Sequence, residues 1–182
     1  MASYNEGKYE IAKWILDCFE VRESIYILDV GACDGKWSDI LRSMAQDKVY
    51  IDAVEAFQPN AAKLGGKYDK VFTGEIKDYD YLSYDVVIFG DVVEHMDVQT
   101  ASYCLDYAKK RSKDIIVSVP FLYKQGAIYG NPYERHIQDD LTPELFAQRY
   151  KGFEVVLRPK SDYAYYHLKG GALDPERLNY ER

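Results

Sequence analysis

Cysteine is scarce in this sequence, and its scarcity excludes several classes of protein. The chain has 182 residues and 3 cysteines, which are Cys18, Cys33 and Cys104. Three scattered cysteines cannot build the disulfide framework of a small secreted domain. They form no Cys-x-x-Cys pair, so neither a zinc site nor a thioredoxin-type site is indicated. We therefore predict no metal site.

Long hydrophobic runs are also missing. No segment approaches the roughly 20 apolar residues of a membrane-spanning helix, and the stretch MASYNEGKYE has no apolar signal core. Together with the few cysteines, these absences predict a cytoplasmic protein without a membrane partner.

An excess of basic charge is the third feature that the sequence lacks. Lys and Arg number 23 against 30 Asp and Glu, which gives a formal net charge of −7. A general nucleic-acid binder needs a basic face that displaces counterions from phosphates. The composition therefore disfavours nucleic acid as a partner, and it leaves the oligomeric state open.

What the sequence does contain is enough apolar material for one core. The hydrophobic content is 47% and the charged content 29%, as in globular proteins. We predict a single domain over 1–182. Its parts are an N-terminal helix in 1–24, a ligand-binding core in 25–121, a lid loop in 122–141, and a helix, a strand pair and a tail in 142–182.

Strand-like and helix-like segments alternate along the chain. Helices are predicted in YEIAKWILDCFE, KWSDILRSMAQ, NAAKLGGK, DVQTASYCLDYAKKR and TPELFAQRY. Strands are predicted in SIYILDV, VYIDAVEAF, DKVFTGEI, YDVVIFGDVVEHM, KDIIVSVPF, FEVVLRPK and YAYYHLK. This order predicts an α/β fold, a Rossmann-like three-layer sandwich whose mostly parallel sheet carries a C-terminal antiparallel strand.

Carboxylates follow several of these strands. Asp29 and Asp34 come at the end of the first, Glu55 at the end of the second and Asp91 at the end of the fourth. Right-handed crossovers bring the C-terminal ends of parallel strands to one edge. Ligands bind at that edge, near the reversal of strand order.

The stretch ILDVGACDGKW raises a choice between two nucleotide ligands. A dinucleotide site typically has three glycines, and the pyrophosphate of the ligand lies at the N-terminus of the following helix. Here only Gly31 and Gly35 are present, and Trp37 and Ser38 stand where the third glycine would fall. The nearby aspartates would also repel a diphosphate by several kcal/mol as an order of magnitude.

S-adenosylmethionine fits the same stretch better. It has no phosphate and carries a positive ammonium and a positive sulfonium, so Asp29 would meet a cation. Glu55 lies about 20 residues beyond the turn, where a carboxylate can accept hydrogen bonds from both ribose hydroxyls.

These motifs resemble those of the class I S-adenosylmethionine-dependent methyltransferases. The resemblance covers 25–121 well and 142–169 loosely. ILDVGACDG is similar to the family's first motif, a strand followed by Asp-x-Gly-x-Gly-x-Gly, except that Cys33 replaces the middle glycine. We expect a negative φ at this cysteine, because a left-handed backbone disfavours a side chain.

The resemblance implies S-adenosylmethionine as cofactor and assigns its contacts residue by residue. Glu55 would hold the ribose, with Ala56 and Phe57 beside the adenine, and Glu75 and Ile76 of TGEI would meet the adenine edge. YDVVIFGDVVEHM is similar to the fourth-strand motif of small-molecule methyltransferases. The full set implied for cofactor binding is Asp29, Gly31, Ala32, Gly35, Glu55, Ala56, Phe57, Glu75, Ile76, Gly90 and Asp91.

Each of these residues also has a purely structural interpretation. Asp29, Asp34 and Asp91 could cap turns, and Trp37 could simply pack a helix on the sheet. His95 belongs to an EH pair that could orient the loop. Cys33 has no evident base, so no nucleophilic role is assigned to it.

The segment FLYKQGAIYGNPYERHIQDDLTPE is long for a connection inside one domain. It leaves the same sheet edge, so we expect it to shape an acceptor pocket, although a structural flap is an alternative. His136 is the first candidate for a general base and His95 the second. Tyr133 or Tyr129 could orient the acceptor. The NPY at 131–133 follows the fifth strand, so it does not match the strand-four motif of DNA amino-methyltransferases.

The function expected from the sequence is methyl transfer from S-adenosylmethionine to an oxygen or nitrogen of a small molecule. Three alternatives stay open: an RNA or protein methyltransferase, a non-catalytic scaffold with this fold, and an NAD(P) oxidoreductase.

Overall fold

The computed structural model describes residues 5–45, 47–80 and 83–171. The predicted tail lies outside these residues from position 172 onward. Its seven strands are β1 (Ile25–Val30), β2 (Val49–Glu55), β3 (Lys70–Thr73), β4 (Tyr84–Gly90), β5 (Ser112–Pro120), β6 (Glu154–Lys160) and β7 (Tyr163–Lys169). Its α-helices are α1 (Lys8–Cys18), α2 (Lys36–Ala45), α3 (Gln58–Ala61), α4 (Val98–Arg111) and α5 (Pro143–Arg149).

The strands form one sheet in the order β3-β2-β1-β4-β5-β7-β6. The first five are parallel, and β7 runs antiparallel between β5 and β6. The order reverses between β1 and β4, which is where a crevice opens in sheets of this kind. The predicted fold class, including the antiparallel C-terminal strand, is confirmed.

Helices cover both faces of the sheet. On one face α4 and α5 contribute Ala101, Leu105 and Phe146 to a core shared with β4 and β5. On the other face α1 and α2 contribute Ile15 and Leu41 to a second core. The central strands are buried on both sides, and this explains why β4 reads as a continuous apolar run.

Several element boundaries differ from the prediction, two of them clearly. The helix predicted in NAAKLGGK ends at Ala61, well before the glycines, because the chain turns there to bury Leu64 completely. The fourth strand ends at Gly90, and a single 3₁₀ turn, Val93–His95, follows it.

All three cysteines are free thiols. Within the described ranges, no helix has the length and apolar character needed to cross a membrane. The division of the chain into a single domain with the predicted subregions stays a prediction.

Candidate functional site

A cavity of about 200 Å³ opens at the C-terminal edge of the sheet, beside the reversal between β1 and β4. It lies between the ends of β1, β2 and β4, the segment after β3 and the loop 122–141. Most of the predicted site residues line it, namely Gly31, Glu55, Ala56, Glu75, Ile76, Gly90, Asp91, His95, Tyr133 and His136.

Two glycines give the cavity its floor. Gly31 has φ +72°, and a Cβ there would lie 2.3 Å from Cγ2 of Val92. At Gly90 a Cβ would lie 2.5 Å from Nε1 of Trp37. Side chains at these two positions would therefore clash with Val92, which lines the cavity, and with Trp37, which belongs to the core shared with α1 and α2.

Cys33 corrects one expectation from the sequence. Its φ is +50°, the left-handed conformation that the glycine of the family motif would adopt, and not the negative value predicted. Its N–H donates a 2.8 Å hydrogen bond to Oε2 of Glu55. The turn therefore keeps the shape of a glycine turn, held by this bond at some cost in backbone strain.

Glu55 is fixed at the end of β2. Its two carboxylate oxygens accept the backbone N–H groups of Cys33 and Phe57, each at 2.8 Å. The residue is 5% exposed, and burial raises the pKa of its carboxyl. Each oxygen keeps a second lone pair for a donor in the cavity, so the side chain is both rigid and able to bind a hydroxyl.

Asp29 does not line the cavity. It is 1% exposed, and its Oδ2 accepts a 2.6 Å hydrogen bond from the hydroxyl of Tyr68. Burial raises the pKa of its carboxyl to about 7, although the bond from Tyr68 and the charge of Lys8 act in the opposite direction. The group nearest to Asp29 is thus a tyrosine of the fold, and ligand contact by this residue stays a prediction.

Ala32, Gly35 and Phe57 also lie outside the lining. The N–H of Gly35 closes the turn on the carbonyl of Ala32 at 2.7 Å, and Phe57 donates to Glu55 through its backbone. These contacts shape the turn, and direct cofactor contact by the three residues remains a prediction.

The segment after β3 carries the residues predicted to meet the adenine. Ile76 is 8% exposed and presents an apolar surface to the cavity. The carboxylate of Glu75 forms an ion pair of 3.0 Å with Lys77 and is well exposed. Glu75 therefore stands at the rim, with its charge largely offset.

Asp91 lies at the end of β4 with φ +59°. Its Oδ1 accepts hydrogen bonds from the hydroxyls of Ser118, at 3.1 Å, and Tyr163. Its Oδ2 lies 4.0 Å from Nζ of the fully buried Lys8, whose charge also lies 4.6 Å from the ring centroid of Trp37. Helix α1 thus places the positive charge of Lys8 near Asp91. Lys8 lies outside the cavity lining and partly offsets the negative charge of Asp91.

The turn after β4 and the loop 122–141 meet in a group of three side chains. Glu94, His95 and His136 place one potential ligand atom each within 4.8 Å of one another. Burial lowers the pKa of both histidines. Burial and the neighbouring Asp91 raise the pKa of Glu94 well above its ordinary range.

The loop 122–141 is fastened by its own hydrogen bonds. Gln125 donates to the backbone carbonyl of Glu134 at 2.7 Å. Asn131, 5% exposed, accepts the N–H of Tyr133 at 3.0 Å and donates to Glu134 at 3.4 Å. The loop thereby holds Tyr133 and His136 over the cavity, whereas Tyr129 is 82% exposed and does not line it.

Acidic side chains outnumber basic ones in the lining. Its one lysine or arginine among the described residues is Lys77, and its acidic side chains are Glu55, Glu75, Asp91, Glu94 and Glu134. Such a wall attracts a cationic ligand and opposes a diphosphate, since charges inside a low-dielectric cleft are weakly screened.

Some residues that shape this site were not identified from the sequence. Glu94 stands inside the EH pair, directly after a strand end, and that position was the available signal for it. Lys8 and Tyr68 gave no signal, because their roles depend on contacts with residues 83 and 39 positions away in the chain.

Comparison with known proteins places the fold. No protein-family model and no curated protein matches the sequence. Solved structures do match in three dimensions, among them the plantazolicin methyltransferase BpumL in complex with S-adenosylhomocysteine (SAH), with a TM-score of 0.67 and 9% identity over 91% of this chain and 86% of that one.

Two further structures extend the likeness. The N-terminal domain of EvdMO1, in the presence of SAH and D-fucose, has a TM-score of 0.63 and 16% identity over 94% of this chain and 85% of that one. The 1,6-didemethyltoxoflavin-N1-methyltransferase of Burkholderia thailandensis, with bound 1,6-didemethyltoxoflavin and SAH, has a TM-score of 0.62 and 18% identity, over 92% and 80%. The chain has the fold of the class I S-adenosylmethionine-dependent methyltransferases.

Proposed function

We propose that this protein transfers a methyl group from S-adenosylmethionine to an acceptor held under the loop 122–141. The observation that carries the proposal is the placement of Glu55, rigid and with spare lone pairs, in an acid-lined cavity at the β1/β4 reversal. The solved structures of this fold that contain SAH support the same ligand.

The residues present fit that ligand better than a dinucleotide. Gly31 and Gly90 line the cavity without side chains, and Ile76 offers an apolar surface for the adenine. The carboxylates of Glu55 and Asp91 line the cavity, and they would attract the positive ammonium and sulfonium. A pyrophosphate would meet the same carboxylates with no compensating arginine in the described lining.

The cofactor supplies an activated methyl group on a good leaving group, so the protein mainly has to position the acceptor. His95 and His136 are neutral near pH 7, because burial lowers their pKa values, and an imidazole lone pair can take a proton from a hydroxyl or an ammonium. Tyr133 also lines the cavity and can hold the acceptor by a hydrogen bond.

A small molecule is the acceptor that the loop favours. The loop is folded on itself through Gln125, Asn131 and Glu134, and it forms one wall of the cavity. Neighbours of the same fold were solved with D-fucose and with 1,6-didemethyltoxoflavin. We propose an oxygen or nitrogen atom of such a compound as the methyl acceptor.

Thermal unfolding and calorimetry with S-adenosylmethionine, SAH and NAD⁺ test the proposal. A ligand at 100 times its Kd adds about 2.7 kcal/mol, which should raise Tm by roughly 5–10 °C in a chain of this size. Glu55→Ala should abolish the shift, and Glu154→Ala, an exposed acid on β6, should retain it. A shift with NAD⁺ and none with SAH would refute the proposal.

A further inference from the structure

Three side chains that line the cavity, two on the turn after β4 and one on the loop 122–141, form a set that can bind a metal ion. Glu94 and His95 are neighbours on the turn Val93–His95, and His136 comes from the loop 122–141. All three line the cavity, and their candidate ligand atoms lie within 4.8 Å of one another.

Both histidines present the same ring nitrogen. Nδ1 of His95 lies 3.1 Å from the carbonyl oxygen of Arg135, and Nδ1 of His136 lies 2.8 Å from that of Tyr123. A carbonyl oxygen only accepts, so each Nδ1 must carry the proton and each Nε2 keeps its lone pair. A second nitrogen tied to a carbonyl is the usual arrangement of a metal-binding histidine.

Glu94 has no partner in the described structure. The residue is 1% exposed, and neither of its carboxylate oxygens makes a hydrogen bond. Its own backbone carbonyl accepts the N–H groups of Ile137 and Gln138, at 2.8 and 3.0 Å, so its position is fixed. A buried carboxyl group without a hydrogen bond is costly, and a cation bound to its oxygens would satisfy it.

We propose that Glu94, His95 and His136 bind one divalent transition-metal ion, of the class of Zn²⁺, Co²⁺ and Mn²⁺. One carboxylate and two imidazoles suit these ions and leave positions open for another ligand. In a tetrahedral site, ligand atoms that each lie about 2.1 Å from the ion are about 3.4 Å apart. The distances between the three ligand atoms, which are within 4.8 Å here, therefore need to shorten by roughly an ångström when the ion binds. The proposal departs from the expectation of no metal site.

The role of the ion rests on the proposed function, whereas its binding does not. An acceptor hydroxyl on the ion's open position would lose its proton to solvent more readily. Its oxygen would then bond to the methyl carbon while the carbon–sulfur bond breaks and leaves its electron pair on sulfur. His136 would be a ligand in this arrangement and not the general base.

Cobalt titration of the full chain, without a histidine tag and after treatment with a chelator, tests the site. One Co²⁺ per chain should bind with a visible absorption spectrum, and Zn²⁺ should displace it. Glu94→Gln, His95→Gln and His136→Gln should each weaken binding by at least about tenfold. His167→Gln is the matched control, because His167 pairs with Asp114 outside the cavity.

A second measurement keeps failure of the site distinct from failure of the proposed function. Metal-free wild-type protein should bind SAH. If Co²⁺ does not bind in a one-to-one ratio, or if the three variants bind it like His167→Gln, the metal site is wrong even where SAH binds. If Co²⁺ binds and SAH does not, the metal site stands without the proposed function.

Discussion

The hydroxyl of Tyr68 donates a 2.6 Å hydrogen bond to Oδ2 of Asp29, so the acid near the end of β1 is joined to a residue of the segment before β3. This bond and deep burial leave Asp29 with a carboxyl pKa of about 7. The ionisation of Asp29 is therefore coupled to folding in the neutral pH range.

Asp29→Asn should change how stability depends on pH. The folded pKa of Asp29 lies above the ordinary aspartate value of 3.8, so its stabilising contribution is complete below about pH 4 and is lost as the pH rises through 7. Asparagine does not ionise, so the stability of Asp29→Asn does not fall in this way. Its free energy of unfolding relative to wild type should rise by about 2–3 kcal/mol between pH 5 and pH 9.

Urea unfolding of both ligand-free proteins at several pH values measures this difference. Asp39→Asn, at a half-exposed acid paired with Lys67, is the control and should show no comparable slope. A difference between Asp29→Asn and wild type that stays flat across the range would contradict the assigned pKa.

Cys33→Gly should stabilise the protein. A side chain in the left-handed conformation costs about 1–2 kcal/mol, part of which glycine returns through its greater freedom when unfolded. We expect a gain of up to about 1 kcal/mol, with SAH binding retained because Glu55 uses only the backbone N–H of Cys33. Cys33→Ala keeps the unfavourable φ, so equal stability of the two variants would count against the strain.

Gly31→Ala should destabilise the fold more than Gly66→Ala. Both glycines have left-handed φ values, +72° and +81°, but a Cβ at 66 meets nothing within 4 Å, whereas one at 31 meets Val92 at 2.3 Å. The extra loss should be about 1–3 kcal/mol. Adding Val92→Ala to Gly31→Ala should recover part of it, and no recovery would mean that the clash is not the cause.

Asn131→Ala should loosen the loop 122–141 without unfolding the core. It removes the acceptor of the Tyr133 N–H and the donor to Glu134, so backbone amides of 133–136 should exchange with deuterium about tenfold faster or more. Tyr129→Phe, on the exposed part of the loop, is the control. Unchanged exchange in Asn131→Ala would show that other contacts hold the loop.

The fold could be predicted because it depends on local patterns. The apolar runs of β1, β2 and β4 and the capping threonine before α5 mark those elements in the sequence alone. Glu55 could be placed in the cavity for the same reason, since strand ends share one edge.

What could not be predicted depends on contacts between distant residues. No residue near Asp29 in the sequence indicates its contact with Tyr68, and none near the buried Lys8 indicates its contact with Asp91. The φ of Cys33 is fixed by the bond to Glu55, 22 positions away. Glu94 and His136 meet only because the loop 122–141 folds back onto the turn after β4.

A crystal structure of the protein with SAH tests the central claim most directly. The account predicts SAH in the cavity at the β1/β4 reversal, with its ribose hydroxyls within about 2.5–3.2 Å of the Glu55 carboxylate. An empty cavity at saturating SAH, or a ribose bound away from Glu55, would contradict it.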